Sequence, residues 1–591
     1  MAAQARPRLI LYLSGRWKRA HADLLRAGDI LWRGPDTDAP PGTGPWQVLP
    51  RLPRDEAPLL SQYAALWAST GMSAGEDFAR ALANKHYLYG VLAVAAQLEA
   101  VSRLIDEHQP AEVLIFSAGP SHEPVPAVGF ANSESATGSR DLIGAIVAGV
   151  LEGQITGCKV RIEPLSGDLM MNLRIRRPLM RAATTALVGL SALKLMAGRI
   201  TRRSVMRDAV RTLVFVRTRE HARHCARIFG GQEGVAALIT PQFTQGGARG
   251  ILDALGDAVP AAFPSLAATL KALAAALLPS RRSAPGASAA MTCAGFTCRV
   301  SLDSVQRDLH ATRLFAFQRA LISASLRDYP DLRACAGFEV QGPFAWIEGC
   351  EPRRLGLSSM TIQSVLVQGR SIPLFPCSDR FFVDSAPNAR LLADVGAEAP
   401  GRVVYAGPPF AVRPVQAQAT IKRIGFFTQP YEHDLSARVL ERLCETAARI
   451  GAEVVLRLHP RDTPAPYAAV MARHGGLCTL SQGEPLSDLI ARLDLCVTRT
   501  SSVTKEALAS GKMVLNVLIS DFDRAISADY LPGKGAADGG GTIARSLDEI
   551  GTRIMAREQL AADSAALAQH LFAGLTLADF LREIDLSESG T

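Results

Sequence analysis

Leu495-Cys-Val-Thr-Arg-Thr-Ser-Ser-Val-Thr-Lys-Glu-Ala-Leu-Ala-Ser-Gly511 runs from a short apolar segment through a hydroxyl-rich turn into a helical pattern that ends at glycine. A buried strand that feeds a helix in this way is half of a βα unit. Apolar runs of the same kind stand on either side, at residues 421–427, 453–458, 477–480 and 513–517. Between them lie helical patterns at 435–450, 465–474, 486–492 and 502–510. The alternation predicts a doubly wound parallel sheet from about Val415 onward.

Upstream, Gly407-Pro-Pro-Phe-Ala-Val-Arg-Pro414 reads as a stiff connection and marks a boundary. Before it, a second α/β pattern starts at 212–216, continues through a helix at 219–229 and a strand at 235–239, and resumes with a helix at 311–326. Further apolar runs at 334–340, 360–367, 380–383 and 402–406 complete it as parallel strands. The stretch 258–290 is rich in Ala, Pro and Ser and reads as one helix at 266–278 followed by a loose loop. At the amino end, strands at 9–13 and 112–116 flank a helical run at 78–108, which is a third α/β layer. The expected divisions are an α/β accessory region at 1–170, a basic helical linker at 171–210, and two Rossmann-like domains at 211–414 and 415–591.

A chain of 591 residues exceeds what one hydrophobic core supports, and 48% apolar with 20% charged residues is globular composition. The ten cysteines lack the paired spacing of a zinc ribbon or redox motif, so they read as reduced core thiols. The apolar run at 9–13 is too short for a signal-peptide core and is followed by Arg16, Lys18 and Arg19, which predicts a cytoplasmic location. Net charge is +8, unevenly placed: Asn172 to Arg211 carries ten Arg or Lys against one acid, Asp208. This segment predicts a basic amphipathic helix that meets the inner-membrane surface through 172–211. Lys194 and Arg181 make it a poor transmembrane span. With no aromatic interleaving, the basic segment gives no reason to expect a nucleic-acid partner.

In an open parallel sheet, ligands bind at the carboxyl ends of the strands. Four ends of the last domain are polar: Thr428-Gln-Pro-Tyr-Glu432, His459-Pro-Arg-Asp462, Thr498-Arg-Thr-Ser-Ser502 and Asn516 to Asp521. Thr498, Thr500, Ser501 and Ser502 offer hydroxyls and backbone N–H groups at a helix start, the arrangement that holds a phosphate. His459, preceding Pro460, can donate to a second phosphate oxygen, Arg461 can add charge, and Gln429 lies on the neighbouring end.

The pair Arg457-Leu-His-Pro460 and Thr500-Ser-Ser-Val-Thr-Lys-Glu-Ala-Leu-Ala-Ser-Gly511 resembles the HP and Ser-Ser motifs of bacterial GT-B glycosyltransferases of surface-polysaccharide synthesis. These are the sialyl- and polysialyltransferases, capsular Kdo transferases and CDP-glycerol glycerophosphotransferases. The likeness spans about 212–586 and includes 376–383, 391–396 and 403–409. It implies two facing Rossmann-like domains, with donor phosphate at His459, Ser501 and Ser502 and the nucleotide ribose at Glu506. It also implies transfer of a sugar, CMP-activated and acidic, to a surface polysaccharide or glycoconjugate. Where many relatives carry Gln-His-Gly, this chain has Gln363-Ser-Val, so that His is missing here.

A base for the acceptor hydroxyl is expected from the opposite domain. Glu339, after the strand at 334–338, is the first candidate, Glu348 the second, and His122 with Glu123 the third. No metal ligand set and no cofactor are expected, because a helix terminus can offset the leaving nucleotide's charge. The alternatives are a nonhydrolysing nucleotide-sugar epimerase and a non-catalytic nucleotide-binding component of polysaccharide assembly.

Overall fold

The computed structural model describes residues 6–35, 37, 39–68, 86–125, 137–165, 169–201, 207–240, 248–277, 288–301, 309–338, 343–363, 378–390, 403–407, 412–417, 420–481, 483–527, 531, 540–575 and 579. They form an α/β protein of three parallel sheets and one antiparallel hairpin.

The first sheet holds β1 (Arg8–Tyr12), β2 (Ile30–Arg33), β3 (Gln47–Val48), β4 (Glu112–Ser117) and β5 (Lys159–Pro164), in the spatial order β3-β2-β1-β4-β5. The second holds β6 (Thr212–Val216), β7 (Val235–Ile239), β8 (Ala261–Ala262), β11 (Ala334–Gly337), β12 (Ser358–Ile362), β13 (Arg380–Val383) and β14 (Val403–Ala406). Its order is β14-β13-β12-β11-β6-β7-β8. The third holds β15 (Arg423–Phe427), β16 (Glu453–Arg457), β17 (Cys478–Ser481), β18 (Leu495–Thr498), β19 (Met513–Val517) and β20 (Ile543–Ala544), in the order β17-β16-β15-β18-β19-β20. Counted within each sheet, all three run third, second, first, fourth, fifth. That is Rossmann winding, with the direction of winding reversing between the first strand and the fourth.

The near-continuous apolar runs of the sequence are strands covered on both faces, as parallel sheets require. In the third sheet every residue of β18 and β19 is buried. Two segments that read from the residues as loop and linker are packed. The hairpin of β9 (Ser288–Cys293) and β10 (Phe296–Ser301) rises from the stretch that reads as a loose loop, and places Met291, Phe296, Cys298 and Val300 in the core of the first sheet. The helix Leu169–Thr201 inserts Val188, Ala192 and Leu195 into the core of the second sheet. Neither segment is a free linker.

The second and third units are joined twice. Residues 412–417 lead out of the second unit and are held on the third by Arg413 N–H to Ala509 O (2.8 Å) and Gln416 N–H to Gly511 O (3.4 Å). After the helix Arg557–Phe572 the chain crosses back, and Leu575 N–H donates to Ala406 O at 2.8 Å. Gly407 and Gly574 allow this crossing: both have positive φ, and a Cβ on either would run into the backbone of the opposite strand.

Candidate active site

Register brings the polar ends of the third sheet level with one another. Phe427, the last residue of β15, is opposite Arg457 of β16 on one side and Thr498 of β18 on the other. Thr428, Leu458-His459 and Arg499 to Ser502 therefore leave the sheet side by side, across the point where the winding reverses.

His459 is fixed by its surroundings. Its backbone N–H donates to Thr428 Oγ1 (3.0 Å), and its Nδ1 accepts from the backbone N–H of Arg461 (3.2 Å). An Nδ1 that accepts leaves the ring proton on Nε2, so the half-buried imidazole presents a donor at the sheet edge. Burial lowers its pKa to about 4, helped by Arg461 and opposed by Asp462, so the ring is neutral at pH 7. Asp462 is the anchor of this turn, a role that its sequence context does not reveal. Its side chain has no exposed surface, and it accepts from Thr428 Oγ1 (2.6 Å), Tyr467 OH (2.8 Å) and Thr463 N–H (2.8 Å). His433 Nδ1 lies 3.3 Å from its other face. Thr428 therefore transmits the position of a buried carboxylate to His459. Pro460 and Arg461 themselves are exposed at the tip, and Gln429 is buried beside them.

The hydroxyl-rich turn divides into two sets of residues. Thr498 turns inward and bonds Thr504 Oγ1 (3.0 Å) and Asn516 Oδ1 (3.3 Å), so it supports the turn. Ser501 Oγ accepts from Val503 N–H (3.3 Å) and caps the chain's entry into the helix Val503–Ala509. Ser502 makes no side-chain capping bond, and the buried Thr500 hydroxyl has no partner among the described residues. Arg499 gives this turn its rigidity. The fully buried guanidinium bonds Glu432 and Asp523 (2.9 Å), Ser436 Oγ (2.9 Å), and the carbonyls of Tyr431 and Glu432 (3.4 Å each). It thereby ties the ends of β15, β18 and β19 together and is committed to the protein rather than to a ligand.

The second unit closes against this edge. Lys505, in the first turn of the Val503–Ala509 helix, is buried, and its Nζ donates to Asp384 at the carboxyl end of β13 and to Ser385 Oγ (3.3 Å). Burial lowers the lysine's pKa and Asp384 opposes that shift. Glu506 lies at the same interface, facing Arg227 and Glu220 on the helix Arg219–Phe229. Burial raises its pKa to about 7; Arg227 opposes the rise, and Glu220 and Asp384 add to it. Gln363, at the end of β12, accepts from Asp384 N–H (3.1 Å) and Asn388 Nδ2 (3.1 Å), holding Asp384 in place.

Of the sequence candidates for the base, Glu348 and the pair His122 with Glu123 lie in different units. Glu348 is 2% exposed on the helix Pro343–Arg354 and accepts from Arg217 Nε at 2.7 Å, inside the second unit. His122 is 70% exposed, 3.6 Å from Glu152, and Glu123 N–H donates to Ser121 Oγ (3.4 Å) within the first unit. Glu339 lies outside the described residues. The first unit does reach the third, but through other side chains. Arg33 bonds Asp434, Arg51 stacks over the rings of Tyr431 (5.1 Å) and Phe522 (5.0 Å), and Leu52 packs beside them. No group of three or more His, Cys, Asp or Glu residues among the described residues is arranged to hold a metal ion. No helix among the described residues is long and apolar enough to cross a membrane.

No protein-family model matches the sequence, and no curated protein matches it. Among solved structures, the chain is similar to a UDP-GlcNAc 2-epimerase from Neisseria meningitidis bound to UDP-GlcNAc, with 10% identity over 64% of this chain and 100% of that one, and a TM-score of 0.40. It is also similar to MurG of Acinetobacter baumannii, at 14% identity over 65% of this chain and 100% of that one, with a TM-score of 0.39. A third is Phytolacca americana UGT2 complexed with UDP-2fluoro-glucose and pterostilbene, at 11% identity over 64% and 100%, with a TM-score of 0.40. Likeness at this level does not say which reaction a chain catalyses.

Proposed function

We propose that this chain is a glycosyltransferase that moves a sugar, CMP-activated and acidic, from a nucleotide donor to a cell-surface polysaccharide or glycoconjugate at the inner face of the membrane. One observation carries the reading. At the winding reversal of the third sheet, a neutral imidazole with its proton on Nε2 stands level with a turn whose Thr500 and Ser502 hydroxyls are uncommitted. Such donors, fixed before the ligand arrives, suit a phosphate whose charge grows as it leaves.

In this reading the acceptor hydroxyl attacks the anomeric carbon while the bond from that carbon to the phosphate oxygen breaks. The bonding pair goes to the phosphate, where His459 Nε2–H, the Ser502 hydroxyl and the turn's N–H groups stabilise it. The acceptor proton passes to a carboxylate of the opposite unit, for which Glu339 remains the candidate. Glu506 binds the nucleotide ribose at the interface, and no divalent ion takes part. The resemblance drawn from the HP and Ser-Ser motifs is the basis for the CMP-linked acidic sugar.

A thermal-shift screen of CMP, CDP, UDP and GDP on wild type, His459→Ala and Ser502→Ala tests the site. Stabilisation by cytidine nucleotides that both variants lose supports it. Equal responses of all three proteins to every nucleotide would sink it, and binding without transfer or hydrolysis of any donor would reduce the protein to a nucleotide-binding component.

A further inference from the structure

Among the described residues, Leu190, Leu193, Leu266, Leu270 and Leu277 are 47–61% exposed, and the other exposed large apolar side chains are Val412 and Met555, at 39% and 46%. The five leucines sit on two helices that pack together, Leu169–Thr201 and Leu266–Leu277. Gly198 of the first lies against the Phe263 ring, and Arg199 Nη1 reaches Pro264 O at 3.4 Å, just before the second. On each helix the leucines share a stripe: 190 and 193 are three apart, and 266, 270 and 277 follow at four and eleven. The opposite sides, with Val188, Ala192, Leu195, Ala272 and Ala276, belong to the core of the second unit. This apolar surface is therefore presented by a folded domain, and among the described residues its leucines remain exposed.

Charge selects the occupant. Lys194 and Lys271 are exposed, each directly after a leucine of the stripe. The sequence holds no acid between Asp168 and Asp208, nor between Asp257 and Asp303, so both helices and their flanks are purely cationic. A second copy of this chain would bring lysines against lysines. We infer that the Leu190–Leu193–Leu266–Leu270–Leu277 face is a docking surface for an anionic lipid bilayer, with the leucines entering the acyl boundary and the lysines meeting lipid phosphates. The surface lies outside the nucleotide site and stands or falls apart from it. It refines the expectation for residues 172–211, because one side of that helix is buried in the domain and half of the contact comes from a second helix.

Sedimentation of the full-length chain with sucrose-loaded vesicles, of phosphatidylcholine alone or with phosphatidylglycerol, tests the inference. Wild type should sediment about tenfold more strongly with the anionic vesicles. Leu193→Asp with Leu270→Asp should weaken that binding by roughly tenfold or more. Lys194→Glu with Lys271→Glu should abolish the preference for phosphatidylglycerol. Nucleotide-induced thermal shifts should be the same in all of these proteins, which separates this surface from the donor site. If the aspartate pair lowers the melting temperature of the free protein, Leu193→Ser with Leu270→Ser serves in its place. Wild type that ignores anionic vesicles, or leucine variants that bind as wild type does, would overturn the inference. So would light scattering that shows a dimer dissolved by Leu193→Asp, because the face would then belong to a second copy.

Discussion

The second and third units have the same winding, yet their carboxyl edges are put to opposite uses. In the second, the charges at the strand ends turn inward or across: Arg217 is paired with the buried Glu348, and Asp384 is held by Gln363 and joined to Lys505. In the third, Arg499 and Asp462 also turn inward, but what they hold is a row of donors, half-buried at His459 and Ser502 and buried at Thr500, where the hydroxyl has no partner among the described residues. Winding decides where a ligand site can be. Whether one exists depends on which polar groups the interior leaves uncommitted.

The largest expected effect breaks the third edge from beneath. Arg499→Met leaves Glu432 and Asp523 buried beside an apolar chain, and should cost about 3–5 kcal/mol of stability in denaturant unfolding, with nucleotide binding lost as the turn loosens. Next is the second edge: Glu348→Ala removes the buried carboxylate to which Arg217 donates and should cost about 3 kcal/mol. If Glu348→Ala instead melted like wild type and lost only transfer activity, the second edge would be catalytic and the contrast between the units would fail.

His459→Ala tests the open donors. It should weaken nucleotide binding by about 1.5–3 kcal/mol in calorimetry while the free protein melts as before. Asp462→Asn should give part of the same loss, because it acts through Thr428. The contact between the units has a pH signature. Glu506 is raised above its unfolded value to about 7, so its contribution is complete below pH 4.5 and is lost as pH rises through 7. The loss should be on the order of 2 kcal/mol and absent in Glu506→Gln, measured as unfolding free energy from pH 5 to 8. The smallest effect, about 1 kcal/mol, is expected for Thr498→Val, which removes the buried hydroxyl shared between Thr504 and Asn516 beneath the turn.

Much of this was legible in the residues. The runs at 212–216, 235–239, 380–383 and 513–517 are observed as β6, β7, β13 and β19 at those bounds, because strands buried on both faces must be apolar throughout. The hairpin at Ser288–Ser301 was not legible. Its alternating Thr, Cys and Arg satisfy one buried face only, and that face is completed by a core that lies some 130 residues or more upstream in the sequence. At the site, the turn from Thr498 to Ser502 and His459 could be placed by spacing alone. The division of labour within it could not: that Arg499 is enclosed by Glu432, Ser436 and Asp523, and that Thr498 turns inward, appears only in the fold. Asp462 and Thr428 stood in the polar strand ends from the start, but only register joins residues 34 positions apart.

The two crossings, Leu575–Ala406 and Arg413–Ala509, leave the second unit from Ala406 and Arg413, close together in the chain, which has a mechanical consequence. Two bodies pinned at adjacent points keep one easy motion, a rotation about the line through the pins, while sliding and separation are blocked. In the proposed reaction, donor and acceptor then share one gap, on the side remote from the pins. The Lys505–Asp384 contact lies one helical turn from Ala509 and directly after Val383, the register partner of Ala406, so it belongs to the pinned side and stiffens the axis of that rotation.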